Sequence, residues 1–189
     1  MKTSAKFAAV AATGAALVMT APGMGQAATP GGDLIVNTLT SKGKCLEIEN
    51  SSTKNGAKAQ QWTCKGQKGA FWRAVKVDEP YPGGARYQIV NVNSGKCLEI
   101  ADSRKDIGAP VQQWTCVDGV ATQLWYQQDG HLTNANSFAG LEFEHMPNGK
   151  WIDDGAPAVG ALGDWWGWKD PFTGKITEFG KADTTLRSR

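Results

Sequence analysis

The chain has 189 residues, with 20 Lys and Arg against 18 Asp and Glu, and it carries 23 Gly, 8 Trp and 4 Cys. That length suits one ordinary domain with appendages. The scattered lysines give no concentrated positive footprint, which excludes a nucleic-acid partner, and no apolar run approaches the roughly 20 residues that a membrane-spanning helix needs.

Residues 1–27 read as an export signal. Lys2 and Lys6 make a basic start, residues 7–19 form an alanine-rich apolar run, and Pro22-Gly23 breaks it. Gly25-Gln26-Ala27 then supplies the small residues a signal peptidase selects, with cleavage after Ala27 or, as the alternative, Ala28. The cut removes two lysines and no acid, leaving 18 residues of each sign. An exported chain with four cysteines points to disulfides formed in an oxidising compartment, hence a secreted protein.

From residue 28 onward helix signals are weak. Short runs such as Leu34-Ile-Val, Tyr87-Gln-Ile-Val and Cys97-Leu-Glu-Ile, set between turn residues, read as strands. The class is all-β. Two words recur: Gly43-Lys-Cys-Leu-Glu-Ile48 as Gly95-Lys-Cys-Leu-Glu-Ile100, and Gln60-Gln-Trp-Thr-Cys64 as Gln112-Gln-Trp-Thr-Cys116, both 52 residues apart. Each copy then reaches a further tryptophan, Trp72 or Trp125. This is a duplicated supersecondary unit, too small to bury its own apolar face alone, so the copies must pack together. The stretch 78–85, rich in Pro and Gly, is the turn-rich join.

A degenerate third copy is read in 130–180. Ala139-Gly-Leu-Glu-Phe143 parallels Lys96-Cys-Leu-Glu-Ile100, and Gly155-Ala-Pro157 parallels Gly108-Ala-Pro110. Trp165, Trp166 and Trp168 follow and are expected to close the core or pack a terminal strand. Residues 181–189 form a polar tail.

The duplicated cysteine and tryptophan words, with Gln123-Leu-Trp125 as a Q-x-W signature, resemble the ricin B-type lectin family. The resemblance implies a β-trefoil over 28–180, with repeats at about 34–80, 86–129 and 130–180, two of them clear and the third degenerate. It implies non-covalent recognition of a glycan or polysaccharide. The chain departs from the family pattern at several points. Glu47 and Glu99 stand where the family usually has Asp. Thr122 replaces the Asn before the Q-x-W glutamine, and Gly69-Ala70 replaces both polar residues in the first unit. The third unit has neither cysteine nor a clear Q-x-W.

Side chains on a strand alternate between its faces. Cys97 and Glu99 therefore share one face and Leu98 and Ile100 the other, while Gln112, Trp114 and Cys116 share a face on the following strand. A Cys97–Cys116 bond, favoured by the duplication together with Cys45–Cys64, brings Glu99 beside Gln112 and Trp114, and Glu47 beside Gln60 and Trp62. An indole covers the apolar face of a sugar ring, and a carboxylate accepts from neighbouring hydroxyls. The sugar-binding candidates are Glu99, Gln112, Trp114, Thr122 and Gln123 in the second unit and, more weakly, Glu47, Gln60 and Trp62 in the first. Alternatives stay open for them: the two glutamates as solvated strand residues, Trp62 and Trp114 as packing over the disulfides, and Gln123 as a holder of backbone groups. Trp72 and Trp125 read as core anchors.

Enzyme signals are poor, and a cell-wall-associated hydrolase is the third and weakest reading. His131 and His145 lack metal-ligand spacing with the cysteines, and no nucleophile elbow, phosphate loop or metalloprotease word occurs. Glu142, Glu144, Asp153 and Asp154 read as loop acids. No cofactor and no metal are implied. The competing reading is a trefoil without sugar binding that serves as a protein-interaction module.

Overall fold

A computed structural model describes residues 32–37, 43–80, 84–128, 130–143, 153–161, 166–169 and 175–178. The expected signal and polar tail lie outside these residues. The described residues form thirteen strands. The first four are β1 (Asp33–Asn37), β2 (Lys44–Ile48), β3 (Ala59–Thr63) and β4 (Phe71–Asp78). β5 (Arg86–Asn91), β6 (Cys97–Ile100), β7 (Ala109–Trp114) and β8 (Leu124–Gln128) repeat the pattern, and β9 (His131–Asn134), β10 (Gly140–Phe143), β11 (Ala158–Ala161) and β12 (Trp166–Lys169) repeat it again. β13 (Ile176–Glu178) pairs with the edge of β12 opposite β1.

The architecture is a β-trefoil. Strands β12, β1, β4, β5, β8 and β9 lie side by side as the barrel wall. The hairpins β2–β3, β6–β7 and β10–β11 cap one end. Around the axis the caps clasp each other through backbone bonds. Gln113 pairs with Gly56 and Ala57 of the first unit, Gln61 with Gly155 and Ala156 of the third, and the Gly160 carbonyl accepts from Gly108 of the second.

Strand alternation explains why these sequences make these strands. Leu46, Leu98 and Leu141 come inward from the three hairpins, joined by Ile48, Ile100 and Phe143, and by Ile35, Ile89 and Leu132 from the wall, all at most 2% exposed. Full burial of each such side chain contributes about 1.5–3 kcal/mol. Trp72 and Trp125 fill the barrel, each giving its indole N–H to a backbone carbonyl of its own unit, Leu46 and Leu98 respectively, at 2.9 Å.

Register also places the third unit's fourth strand. Trp72 pairs with Asn91, Trp125 with Asn134, and Trp166 with Asn37. Trp166 therefore stands at the position of the two core tryptophans, although no Q-x-W precedes it. The sequence hides this because the segment joining β10 and β11 is longer, and the one joining β11 and β12 shorter, than the counterparts in the other two units.

Two buried asparagines hold the turns before the core tryptophans. Asn91 donates to the Gly69 carbonyl and Asn134 to the Thr122 carbonyl, both at 2.8 Å. Each also accepts, through Oδ1, from backbone N–H groups of the turn that follows it. At Gly69 a Cβ would come within 2.7 Å of the Ile48 carbonyl, so the first unit has no room there for the side chain that Thr122 carries in the second.

Candidate functional site

The hairpin registers bring the expected groups together. Glu99 faces Gln112 and Cys97 faces Trp114 across β6 and β7, while Glu47 faces Gln60 and Cys45 faces Trp62 across β2 and β3. The structure joins Cys97 to Cys116 and Cys45 to Cys64, one staple per unit. These bonds clamp the open end of each hairpin next to its tryptophan.

In the second unit Gln112 donates to Glu99 Oε1 at 2.8 Å, and Gln123 donates to Glu99 Oε2 at 2.9 Å. Glu99 is only 8% exposed and Glu47 only 5%. They are therefore not solvated strand residues, because a carboxylate at that depth is retained only with charge-assisted partners. Trp114, by contrast, leaves 42% of its surface open and Trp62 36%, while the core tryptophans leave none. An indole half out of the protein is not a core anchor. It is an apolar platform beside a fixed carboxylate and an amide.

Thr122 and Gln123 lie in a different layer. They sit in the 3-10 turn Ala121–Gln123, with Thr122 6% and Gln123 1% exposed. The Gln123 amide spends both hydrogens inside the protein, one on Glu99 and one on the Thr115 carbonyl at 3.0 Å, and its oxygen accepts from Val117 N–H at 2.9 Å. It holds the site from behind.

The first unit repeats the front layer. Gln60 donates to Glu47 Oε1 at 2.9 Å. Behind it, buried Ala70 stands at the Gln123 position, two residues before the core tryptophan. Among the described residues, the third unit's hairpin keeps the acid alone of the three groups. Glu142 pairs with Val159, Leu141 with Gly160 and Gly140 with Ala161, so Val159 and Ala161 stand where the second unit has Gln112 and Trp114. At these two described positions neither an amide nor an aromatic ring is present.

Each platform borders the preceding unit around the axis. A Cβ on Gly56 would lie 3.7 Å from the Trp114 ring and one on Gly155 would lie 3.8 Å from the Trp62 ring, and both glycines have left-handed φ. Beside them, Asn55 Oδ1 accepts from Thr115 N–H at 3.0 Å, and Asp154 Oδ1 accepts from Thr63 N–H at 2.6 Å and from Lys44 Nζ at 2.5 Å. Burial acts to raise the Asp154 carboxyl pKa, but the bonds from Lys44 and Thr63 outweigh it and hold the group below its ordinary value. Asp154 is thus a latch between units. These neighbour contacts, and the asparagine holds, are the parts of the site that the sequence reading missed. Among the described residues no cluster of His, Cys, Asp or Glu is grouped to hold a metal ion, and no helix is long and apolar enough to cross a membrane.

The model of the ricin-type β-trefoil lectin domain-like family matches residues 25–81 and 79–159. The chain belongs to that family. Among solved structures, this family member superposes on ThreeFoil, a designed threefold-symmetric protein, with a TM-score of 0.62 and 28% identity, over 73% of this chain and 97% of that one. An exo-β-1,3-galactanase from Clostridium thermocellum matches with a TM-score of 0.57 and 26% identity, over 78% of this chain but 30% of the galactanase. A lectin from Polyporus squamosus, solved with a Neu5Acα2-6Galβ1-4GlcNAc epitope, gives a TM-score of 0.55 at 11% identity, over 73% of this chain and 48% of that one, a likeness of fold alone. No curated protein matches the chain.

Proposed function

We propose that the chain is a secreted, non-enzymatic lectin-like module that binds glycans non-covalently through two sites. The observation that carries this reading is the repeated pairing of an exposed indole with a buried, amide-held carboxylate: Trp114 with Glu99 and Gln112, Trp62 with Glu47 and Gln60. Trp114 covers the apolar face of a sugar ring while Glu99 and Gln112 take its hydroxyls. Thr122 and Gln123 support that surface rather than line it. Shallow sites of this kind bind weakly one at a time and gain through joint engagement of a polymer. Membership of a lectin-like family supports the reading, and the paired staples suit an extracellular setting.

A glycan array with the mature protein, followed by calorimetry on the best sugar, tests it. Trp62→Ala and Trp114→Ala should each remove one site, and the double variant should bind nothing while keeping its circular dichroism. A wild-type protein that binds no sugar overturns the proposal.

One observation favours the second reading, a protein-interaction module. The third unit has Ala161 at the platform position, and nearby turns present Ile107 and Phe138, each 75% exposed. Capture of a protein partner by a chain that binds no sugar would establish that reading instead.

A further inference from the structure

The second unit's Q-x-W glutamine does two things. It clips the backbone leaving β7, by donating to Thr115 O and accepting from Val117 N–H, and it holds Glu99. The first unit has Ala70 at that position, yet its backbone is clipped in the same way. Gln67 donates to Thr63 O at 3.1 Å and accepts from Lys65 N–H at 2.9 Å. Thr63 and Lys65 stand 52 residues before Thr115 and Val117, the repeat distance itself.

We infer that Gln67 has taken over the backbone half of this work from a place three residues earlier in its unit, and that Glu47 has lost its rear donor in consequence. The β2–β3 ladder ends at Thr63, next to the disulfide cysteine, so the Thr63 carbonyl and the Lys65 N–H need partners outside it. A primary amide carries its donor and its acceptor on separate atoms, so one neutral side chain can serve a carbonyl and an N–H two residues apart. From position 67 the amide serves both backbone groups, but the structure gives Glu47 a side-chain bond from Gln60 alone. Gln67 is therefore a positioning residue for the first site, since it fixes the chain directly after Trp62 and Thr63.

The two carboxylates consequently differ. Glu99 is held at both oxygens, whereas Glu47 is held at one and keeps more acceptor capacity for a ligand. Resting on the sugar-binding reading, this makes the first site the broader in the sugars it accepts and the second the more selective, because a preorganised acceptor discriminates more sharply.

Exchanging the two glutamine positions tests the inference. Gln67 is half-buried in the turn just after a disulfide-stapled hairpin, so Gln67→Ala leaves the fold intact. Its Lys65 amide should exchange with solvent about tenfold faster, the loss of one net hydrogen bond, while Val117 stays unchanged as the control. Ala70→Gln alone should lower the melting temperature, because two amides then compete for Thr63 O and Lys65 N–H. The double variant should recover both the Lys65 protection and the melting temperature. Unchanged Lys65 exchange in Gln67→Ala, or a double variant no better than the sum of the singles, overturns the relocation. For selectivity, sugar panels are compared in a Trp114→Ala background with and without the swap. The swapped first site should bind a narrower set, and identical sets overturn that half of the inference. Failure of every sugar to bind would overturn the proposed function and the selectivity with it, and the exchange data would still decide the relocation.

Discussion

Gln123 reaches Glu99 from behind while Gln112 reaches it from the front, so each carboxylate oxygen of Glu99 accepts an amide hydrogen. An amide in place of Glu99 could not accept at both ends. Gln112 is partly exposed and can turn its amide, but Gln123 is fixed by two backbone bonds. Glu99→Gln should therefore cost about 1–3 kcal/mol, the penalty for a buried polar group facing the wrong partner. Glu47→Gln can keep its oxygen towards Gln60 and should cost less. Urea unfolding of both variants checks the order, and equal losses would show that Gln123 adds nothing to Glu99.

Trp125→Ala and Trp72→Ala should each destabilise the protein by about 3–5 kcal/mol, because each empties a fully buried ring and orphans a carbonyl, Leu98 or Leu46. Trp114→Ala should leave stability within about 1 kcal/mol, since nearly half its surface is already in water. Thermal unfolding separates the first two variants from the third, and a large loss at Trp114 would make it a core residue.

The core and the front of each site were legible because they are written twice at one spacing. A period-two strand with Cys, Leu, Glu and Ile in order sends Leu98 and Ile100 inward and Glu99 outward, and a second copy removes chance. What was not legible depends on contacts between units. Asn134 holds Thr122, Asp154 holds Thr63, and Gln113 bonds the Ser52 and Lys54 carbonyls of the first unit. Only folding creates these neighbours. The words Asn91-Val-Asn-Ser94 and Asn134-Ala-Asn-Ser137 were a usable signal for the asparagine holds. Gln67 escaped notice for another reason: it serves the same atoms as Gln123 from a different place, which breaks the alignment that found everything else.

Asp154 predicts the acid behaviour. Its folded pKa lies below the ordinary aspartate value, so the stability it contributes is fully present above the unfolded-chain pKa of about 4 and is lost as the pH falls through the lower folded value. Wild-type stability should thus fall on acidification below about pH 4 more steeply than that of Asp154→Asn, which carries no titrating group there. Denaturant midpoints at stepped pH values measure this. Parallel curves would show that the latch to Lys44 and Thr63 contributes nothing.

Phe138 predicts a gain. It has a φ of 57°, in the left-handed region, and stands where the other two units place Gly43 and Gly95, with φ of 61° and 68°. A bulky residue pays about 1–2 kcal/mol for that conformation, and glycine returns some 0.4–1 kcal/mol of this through its freer unfolded chain. The ring recovers little, because it is 75% exposed. Phe138→Gly should therefore stabilise the protein by roughly 0.5–1 kcal/mol. Gly95→Ala should do the reverse, for nothing lies within 4 Å of a Cβ there and only the backbone conformation opposes it. Opposite shifts in melting temperature for the two variants would confirm that one turn geometry governs both. A loss of stability in Phe138→Gly would mean that the aromatic ring contributes more to this turn than its exposure allows.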